Sequence, residues 1–253
     1  MILKVVIFIT FKTILLLVEI CTSSLHSLLN AERAGAHRAE FCSELAVGGI
    51  TPSYGLLKEA IERTSLPLFV LIRPRSGNFV YSDFEFETMK TDIEICKKMG
   101  YKGIVSGVLT LDNRIDKERT KELIEISKPL EFTFHRAFDL TNDAFQSLEE
   151  LIELGVSRIL TSGQASSAEK GLNLLIQLKK LTGNKLTILP GGGITPENVH
   201  LFKKNGFMEI HASASSLFKE VSKPKIPMNS EIFFDETKIF LSDEEIIKRL
   251  LEG

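Results

Sequence analysis

The chain has 253 residues, of which 43% are hydrophobic and 25% charged, a composition that suits a soluble globular protein with a full apolar core. Its net charge of −2 at pH 7 excludes the basic surface expected of a nucleic-acid-binding protein. Three cysteines are too few for a disulfide framework, so we expect reduced thiols and a cytoplasmic location.

The first eighteen residues are mostly apolar and are interrupted by Lys4 and Lys12. This segment is too short and too interrupted for a clear membrane span, and no small-residue cleavage site precedes Glu19. Three interpretations remain open: an extension leading into a core strand over about 14–21, a start codon assigned too early, and an export or anchor signal. We predict an apolar N-terminal extension over residues 1–15, a domain over 16–253, and no membrane partner.

A Glu-x-Cys pattern occurs twice near the start of the chain, as Glu19-Ile20-Cys21 and as Glu40-Phe41-Cys42. Residues 24–35, between the copies, have an amphipathic pattern that ends at a glycine, which predicts a strand–helix–strand unit. The two strands of such a unit are parallel and neighbouring. Because alternate side chains share a face, we expect both cysteines and both glutamates to converge at matched positions on adjacent strands.

The same alternation continues to the end of the chain, with apolar strand patterns separated by amphipathic helices. Four helices are followed directly by a glycine, at positions 35, 100, 155 and 206, where a left-handed residue is favoured. Residues 222–240, which contain two prolines, are predicted to be irregular. The predicted strands are 14–21, the region of 40–42, 67–72, 103–108, 130–135, 157–161, 185–189 and 208–211, and the predicted helices are 24–35, 54–64, 82–99, 116–127, 142–154, 166–182, 195–206 and 242–251.

Eight strands alternating with helices at this spacing predict an α/β fold of the (β/α)8 TIM barrel type, in one domain with an extra C-terminal helix. A doubly wound open sheet is the alternative. That fold would usually carry a Gly-x-Gly-x-x-Gly turn after its first strand, and this sequence has none there.

Active sites of TIM barrels lie at the C-terminal ends of the strands, and in this chain those ends are polar. Alternation places His135 and His211 in the lumen, and barrel closure brings the eighth strand beside the first, so His211 should lie near both cysteines. A structural alternative exists for each residue. Buried cysteines commonly act as small hydrophobes, and a buried Glu19 or Glu40 can pair with Arg38, Arg73 or Arg136.

A glycine run follows the seventh strand, as Gly191, Gly192 and Gly193, and leads to Thr195 as a predicted helix cap. Backbone amides in such a loop can approach an anion, and TIM barrels often bind phosphate with the loops after strands seven and eight. The same glycines would also serve a loop that only turns. Both interpretations remain open.

These motifs together resemble the CutC family of copper homeostasis proteins. The matching stretches run in order over about residues 16–215 and are residues 18–21, 39–42, 48–53, 72–75, 81–83, 132–139, 160–164 and 209–213. The resemblance implies a TIM barrel, a cytoplasmic and homo-oligomeric protein, and Cu(I) binding by cysteines at the positions of Cys21 and Cys42. Ser76 and Asn78 depart from the usual Gly and Asp of the arginine loop.

Two functions therefore remain in competition, with enzymatic activity itself undecided. The first is Cu(I) binding by Cys21 and Cys42 with His211, because soft thiolates select Cu(I). The second is an enzyme acting on a small anionic metabolite, phosphorylated or not. Its predicted acid–base groups are Glu19, Glu40 and His135, and its predicted anion-binding residues are Arg73, Arg75, Arg136, Gly191, Gly192 and Gly193.

Overall fold

The structure, a computed structural model, describes residues 16–223, 225–226, 235 and 237–253. The predicted extension over residues 1–15 lies outside these described residues. The strands are β1 (Leu17–Thr22), β2 (Arg38–Phe41), β3 (Leu68–Leu71), β4 (Gly103–Ser106), β5 (Glu131–Phe134), β6 (Arg158–Thr161), β7 (Thr187–Pro190), β8 (Glu209–Ala212), β9 (Ser215–Glu220) and β10 (Lys238–Ser242). The helices are α1 (Leu25–Ala34), α2 (Tyr54–Arg63), α3 (Asp83–Met99), α4 (Lys117–Ser127), α5 (Ala144–Leu154), α6 (Leu172–Thr182), α7 (Val199–Lys204) and α8 (Glu244–Glu252).

Local sequence signals explain where the helices begin and end. The Ser24 side chain accepts a hydrogen bond from the Ser27 amide at the start of α1, and Gly35 ends that helix at a φ of 89°. Ser82 and Glu85 form a reciprocal capping box at the start of α3. Such caps bind the backbone amides that a helix start leaves unpaired, so the connections next to the barrel are tightly defined.

The eight strands β1 to β8 form one parallel sheet in the order β7-β6-β5-β4-β3-β2-β1-β8. A parallel bridge between Gly191 and His211 joins β7 to β8 and closes the barrel. Gly191 fits this seam because a Cβ there would lie 2.5 Å from Leu160 Cδ1 and 3.2 Å from His211 Cβ. The predicted (β/α)8 TIM barrel is therefore confirmed.

The register between β1 and β2 differs from the expectation that the Glu-x-Cys copies match. Glu19 lies opposite Arg38, and Cys21 lies opposite Glu40, so the second copy is displaced by two residues along the sheet. The physical reason is the stagger of neighbouring strands that a closed barrel requires. As a result Glu40 becomes the neighbour of Cys21, and Glu19 pairs with an arginine.

The C-terminal region confirms one expectation and corrects another. The predicted C-terminal helix is present as α8, which packs against α1 and β1. Part of the segment predicted to be irregular, 222–240, belongs to an antiparallel hairpin of β9 and β10. Alternation was hard to detect there because apolar side chains such as Phe218 and Phe240 are exposed rather than buried.

Among the described residues, no helix combines the length and the apolarity that a membrane crossing needs.

We predict that the chain expressed from Leu15 onward folds, whereas the chain expressed from Ser23 onward does not. Strand β1 pairs with both β2 and β8, and its Val18 and Ile20 are fully buried. Removing it opens the barrel and exposes two unpaired strand edges. Solubility and cooperative thermal unfolding of the two products test this, and a folded product lacking β1 would contradict it.

Candidate functional site

A cavity of about 730 Å³ opens at the C-terminal ends of the barrel strands. It is lined by polar groups from six barrel strands or the loops that follow them, together with apolar side chains such as Leu71, Phe79 and Leu160. A cavity of this size, with apolar walls and several polar groups, suits a small molecule. The polar and charged side chains that line it are Cys21, Glu40, Arg73, His135, Arg136, Asp139, Thr195, Glu197, His211, Ser213, Ser215 and Arg249.

A buried ion-pair network lies beneath one side of this cavity. The Arg38 guanidinium donates through Nε to Glu19 and through Nη2 to Glu209 Oε2 at 2.6 Å. Two guanidinium groups lie over the Phe69 ring: that of Arg38 is 4.9 Å from the ring centre, and that of Arg158 is 4.5 Å from it. Glu19 is only 2% exposed, so this network takes up a carboxylate predicted to be catalytic.

The same Glu19 carboxylate holds His211 in place, with Oε1 at 2.7 Å from the imidazole Nδ1. Burial alone would raise the pKa of Glu19, but Arg38 and His211 outweigh it and lower that pKa to about 2. Burial alone would lower the pKa of His211, but the nearby Glu40 and Glu19 carboxyls raise it. His211 therefore presents its Nε2 side while Nδ1 is held by an ionised carboxylate.

The two cysteines are close together, with Sγ atoms 3.9 Å apart. Both are unoxidised and buried, in a small cluster with Phe69, Leu71 and Val105. Of the two cysteines, only Cys21 lines the cavity. Gly49 covers Cys42 closely, since a Cβ added at Gly49 would lie 3.3 Å from Cys42 Sγ. Hydrogen bonding to Cys42, burial and the Glu40 carboxyl raise the pKa of the Cys21 thiol.

Glu40 occupies the cavity wall next to Cys21 and is 5% exposed. Its Oε1 accepts a long hydrogen bond of 3.4 Å from Cys21 Sγ, and its Oε2 is buried without a hydrogen-bond partner. Burial raises the pKa of this carboxyl. A buried carboxyl oxygen without a partner is costly, so this atom is suited to meet a ligand.

His135 reaches the cavity from the end of β5. Its Nδ1 accepts a hydrogen bond of 3.2 Å from the Ala137 amide, which assigns the proton to Nε2. Burial and the nearby Arg73 lower the pKa of His135 to about 3, so the ring is neutral. Its Nε2 is buried without a partner. The imidazole predicted as an acid–base group is therefore arranged as a neutral hydrogen-bond donor to a ligand.

The three predicted anion-binding arginines are placed differently. Arg73 lines the cavity, but its guanidinium donates to the carbonyl oxygens of Val47, Gly49 and Gly77 at 2.7–2.9 Å. It therefore ties the loop after β2 to the loop after β3.

Arg75 is directed elsewhere, with its Nε on Glu85 at 2.5 Å and its Nη2 on the Val80 carbonyl at 2.7 Å. Arg136 lies in the cavity wall and is held by Asp139 at 2.8 Å and by Ser162 at 2.9 Å. Its side chain is 45% exposed, so of the three it is the one placed to meet an anion.

The glycine loop after β7 belongs partly to the sheet and partly to the cavity wall. The Gly191 amide donates to the Thr161 carbonyl at 3.0 Å and so continues the sheet, while Gly192 and Gly193 line the cavity. The helix expected to begin at Thr195 is regular only from Val199, after a turn in which the Val199 amide donates to the Thr195 carbonyl at 3.0 Å and the Asn198 side chain accepts from the Thr195 amide. The six-residue α7 therefore supplies no helix N-terminus beside these glycines.

Two functional groups were missed from the sequence. Arg158 lies in the barrel lumen below the cavity, and the alternation in β6 would have found it, since it shares a face with Leu160. Arg249 lies at the cavity rim and pairs with Glu197 at 2.6 Å. No sequence signal pointed to Arg249, because its position depends on how α8 packs.

Comparison with known sequences gives the family of this chain. The sequence model described as the CutC family matches residues 16–216, most of the chain. The chain belongs to the CutC family. A human relative named copper homeostasis protein cutC homolog is 47% identical over 201 residues, which cover 79% of this chain and 74% of the relative. A CutC family protein of Parabacteroides distasonis is 43% identical and covers 92% of this chain and 98% of its own length.

Comparison with solved structures gives the same family. The crystal structure of the CutC protein of Streptococcus agalactiae superposes with a TM-score of 0.74 at 35% identity, over 78% of this chain and 98% of that one. An aldolase structure superposes with a TM-score of 0.61 at 15% identity, covering 80% of this chain and 92% of its own. The second likeness shows the shared barrel fold only.

We predict that Arg38→Met lowers the free energy of unfolding by about 3–5 kcal/mol at neutral pH, because it leaves the Glu19 carboxylate buried without its guanidinium. The pKa of Glu19 is about 2 when folded and 4.5 ordinarily, so its pairing stabilises the fold fully above pH 4.5 and is lost as pH falls toward 2. The difference between variant and parent should therefore narrow below pH 4.5. Urea unfolding across this pH range measures it.

The matched control is Arg33→Met, which breaks the largely exposed pair of Arg33 with Glu244. That change should cost at most about 1 kcal/mol. An Arg38→Met protein as stable as its parent at pH 7, or an equal loss at pH 7 and pH 3, would contradict the role assigned to the network.

Proposed function

We propose that this protein binds Cu(I) through Cys21 and Cys42, with His211 alongside, as part of copper homeostasis. The observation that carries the proposal is the 3.9 Å separation of the two sulfur atoms. With metal–sulfur bonds of about 2.3 Å, two thiolates on one ion lie about 3.8–4.6 Å apart, depending on the angle between them. Soft sulfur donors in an apolar setting suit Cu(I).

The surroundings support entry of the ion from the cavity side. Cys21 lines the cavity, whereas Cys42 lies beneath Gly49. Binding converts thiol to thiolate and so releases protons. Glu40, which accepts from the Cys21 sulfur, and His211 are the nearest groups able to take up such a proton.

The names of relatives agree with this proposal. The human and mouse relatives, each 47% identical, are named copper homeostasis protein cutC homolog. The proposal includes a cytoplasmic location, because Cu(I) ligation needs reduced thiols, and all three cysteines are free. It also includes the homo-oligomeric state that the family resemblance implies.

We predict that anaerobically purified protein binds one Cu(I) and that a Cys21→Ser, Cys42→Ser double variant binds none under competition with a Cu(I) chelator. Thiolates are the soft ligands, and serine cannot replace them. Cys96→Ser is the matched control, since Cys96 is equally buried but lies in α3. Unchanged Cu(I) stoichiometry in the double variant would rule out this site.

A second function is supported by a separate observation: among the described residues, three buried polar atoms without hydrogen-bond partners, Glu40 Oε2, His135 Nε2 and Arg73 Nε, belong to residues that line one cavity. A carrier of a single metal ion does not need a cavity of about 730 Å³. We propose that a small anionic metabolite binds there, phosphorylated or not, with its anion on Arg136 and a hydroxyl or carbonyl group against Glu40 and His135. In an enzyme, Glu40 would exchange the proton and His135 would donate a hydrogen bond.

We predict that a panel of carboxylate and phosphate metabolites contains a compound that raises the melting temperature, and that Arg136→Gln abolishes the rise. At a concentration of about 100 times Kd the stabilisation is about 2.7 kcal/mol, or about 5–10 °C for a chain of this size.

Arg75→Gln is the control, since Arg75 binds Glu85 instead of facing the cavity. If no member of the panel shifts the parent protein, this second function is wrong. A shift that persists in Arg136→Gln would place the anion elsewhere.

A further inference from the structure

A second set of metal-binding atoms overlaps the cysteine pair but has a different chemistry. Cys21, Glu40 and His211 each offer one ligand atom, and these three atoms lie within 4.8 Å of one another. All three residues are buried and line the cavity. We propose that this triad is a binding site for a divalent ion of the zinc type, with one coordination position directed to the cavity.

The first argument is the kind of donor. One sulfur, one imidazole nitrogen and one carboxylate oxygen are the ligands that Zn²⁺ takes in proteins, whereas a carboxylate is a poor ligand for Cu(I). Ligand atoms around a tetrahedral zinc ion lie about 3.3–3.8 Å apart, so small side-chain rotations bring the triad into bonding range. Cys42 is not needed for this set.

The second argument is the unpartnered oxygen. Glu40 is 5% exposed, and its Oε2 has no hydrogen-bond partner while Oε1 has only the long contact with Cys21. Buried carboxyl oxygens are almost always paired. Glu40 Oε2, in the cavity wall, is therefore placed to bind a cation or to accept a hydrogen bond from a donor.

The third argument is the orientation of His211. Metal-binding histidines almost always donate their second ring nitrogen to a carboxylate or carbonyl group. His211 has this arrangement, with Nδ1 on Glu19 Oε1 at 2.7 Å, so Nε2 is the nitrogen that would bind the ion. Glu19 is in turn held by its ion pair with the buried Arg38.

The fourth argument is charge. Glu19 already has an arginine partner in Arg38, so a Cys21 thiolate and a Glu40 carboxylate would add two negative charges on the cavity side of the network. A divalent cation neutralises both, but a monovalent one leaves a buried negative charge, which is costly. The triad therefore favours Zn²⁺ over Cu(I), although the two ions would compete for Cys21.

An ion with three protein ligands and an open fourth position is the arrangement of catalytic rather than structural zinc. In this cavity His135 and Arg136 line the same space. A carbonyl or carboxylate group on the open position would be polarised by the ion while these residues hold the rest of the molecule.

Zinc binding to the full chain, stripped by a chelator and then supplied with Zn²⁺ alone, tests the proposal. We expect one Zn²⁺ per chain, and X-ray absorption should show a single sulfur with nitrogen and oxygen ligands. Changing a residue that only supports a metal ligand typically lowers metal affinity about 10–100-fold. Because Glu40 would be a ligand itself, Glu40→Gln should lower the Zn²⁺ affinity by more than this, while Cu(I) binding persists. Cys42→Ser should retain Zn²⁺ and lose Cu(I).

Glu197→Gln is the matched control, because it removes a carboxylate from the exposed cavity rim, where Glu197 pairs with Arg249. Its Zn²⁺ affinity should equal that of the parent. Co²⁺ in place of zinc should give a thiolate charge-transfer band, and Cys21→Ser should remove that band. Because one coordination position is open to the cavity, added azide should also change the Co²⁺ spectrum.

Absence of stoichiometric Zn²⁺, a shell with two sulfurs, or an unchanged affinity in folded Glu40→Gln would overturn the proposal. The absorption measurement uses the parent protein, so it decides the matter even if a variant does not fold. The Cu(I) proposal fails separately, through the Cys42→Ser and double-cysteine variants, so the two outcomes are distinguishable.

Discussion

The site depends on one guanidinium buried inside the barrel. Arg38 binds Glu19 of β1 and Glu209 of β8, so one side chain of β2 connects three strands at the closing side of the barrel. Without it, Glu19 would be a buried carboxylate without a cation, a state that proteins avoid by protonation. With it, Glu19 stays ionised and fixes the imidazole of His211 above.

Above this network the cavity wall divides into two chemical halves. One half is backed by the cluster of Cys21 and Cys42 with Phe69, Leu71 and Val105, of which Cys21 and Leu71 line the cavity. The other half is polar and contains Glu40, His135 and Arg136. Cys21 belongs to both halves, since its sulfur contacts Cys42 and Glu40. The Cu(I) site and the mixed-donor site that we propose would therefore share this sulfur.

The cavity, at about 730 Å³, is larger than the binding of a single metal ion requires. Two of the buried atoms without a hydrogen-bond partner among the described residues, Glu40 Oε2 and His135 Nε2, belong to groups whose pKa values are shifted in opposite directions from their ordinary values. Both shifts favour the neutral form, so both groups are suited to donate a hydrogen bond. Groups kept neutral by burial are common where a protein handles a polar molecule away from water. Copper binding and small-molecule chemistry are therefore compatible uses of one barrel mouth.

The sequence by itself determined the architecture. The strand and helix periods, the caps at Ser24 and Ser82 and the glycine at position 35 are local signals, and local signals are sufficient to define elements and their order. The strand–helix–strand unit was also enough to predict that Cys21 and Cys42 approach each other, because its two strands must be neighbours.

Only the tertiary structure decided which groups meet. The two-residue stagger of β2 pairs Glu19 with Arg38 and Cys21 with Glu40, and stagger is a property of the closed barrel rather than of either strand. The hydrogen bonds that Arg73 donates to loop carbonyl groups could not be predicted from the sequence either. Their acceptors are backbone atoms, whose positions no residue type specifies. Sequence patterns tell which side chains face the lumen, but register and loop geometry determine which of them touch.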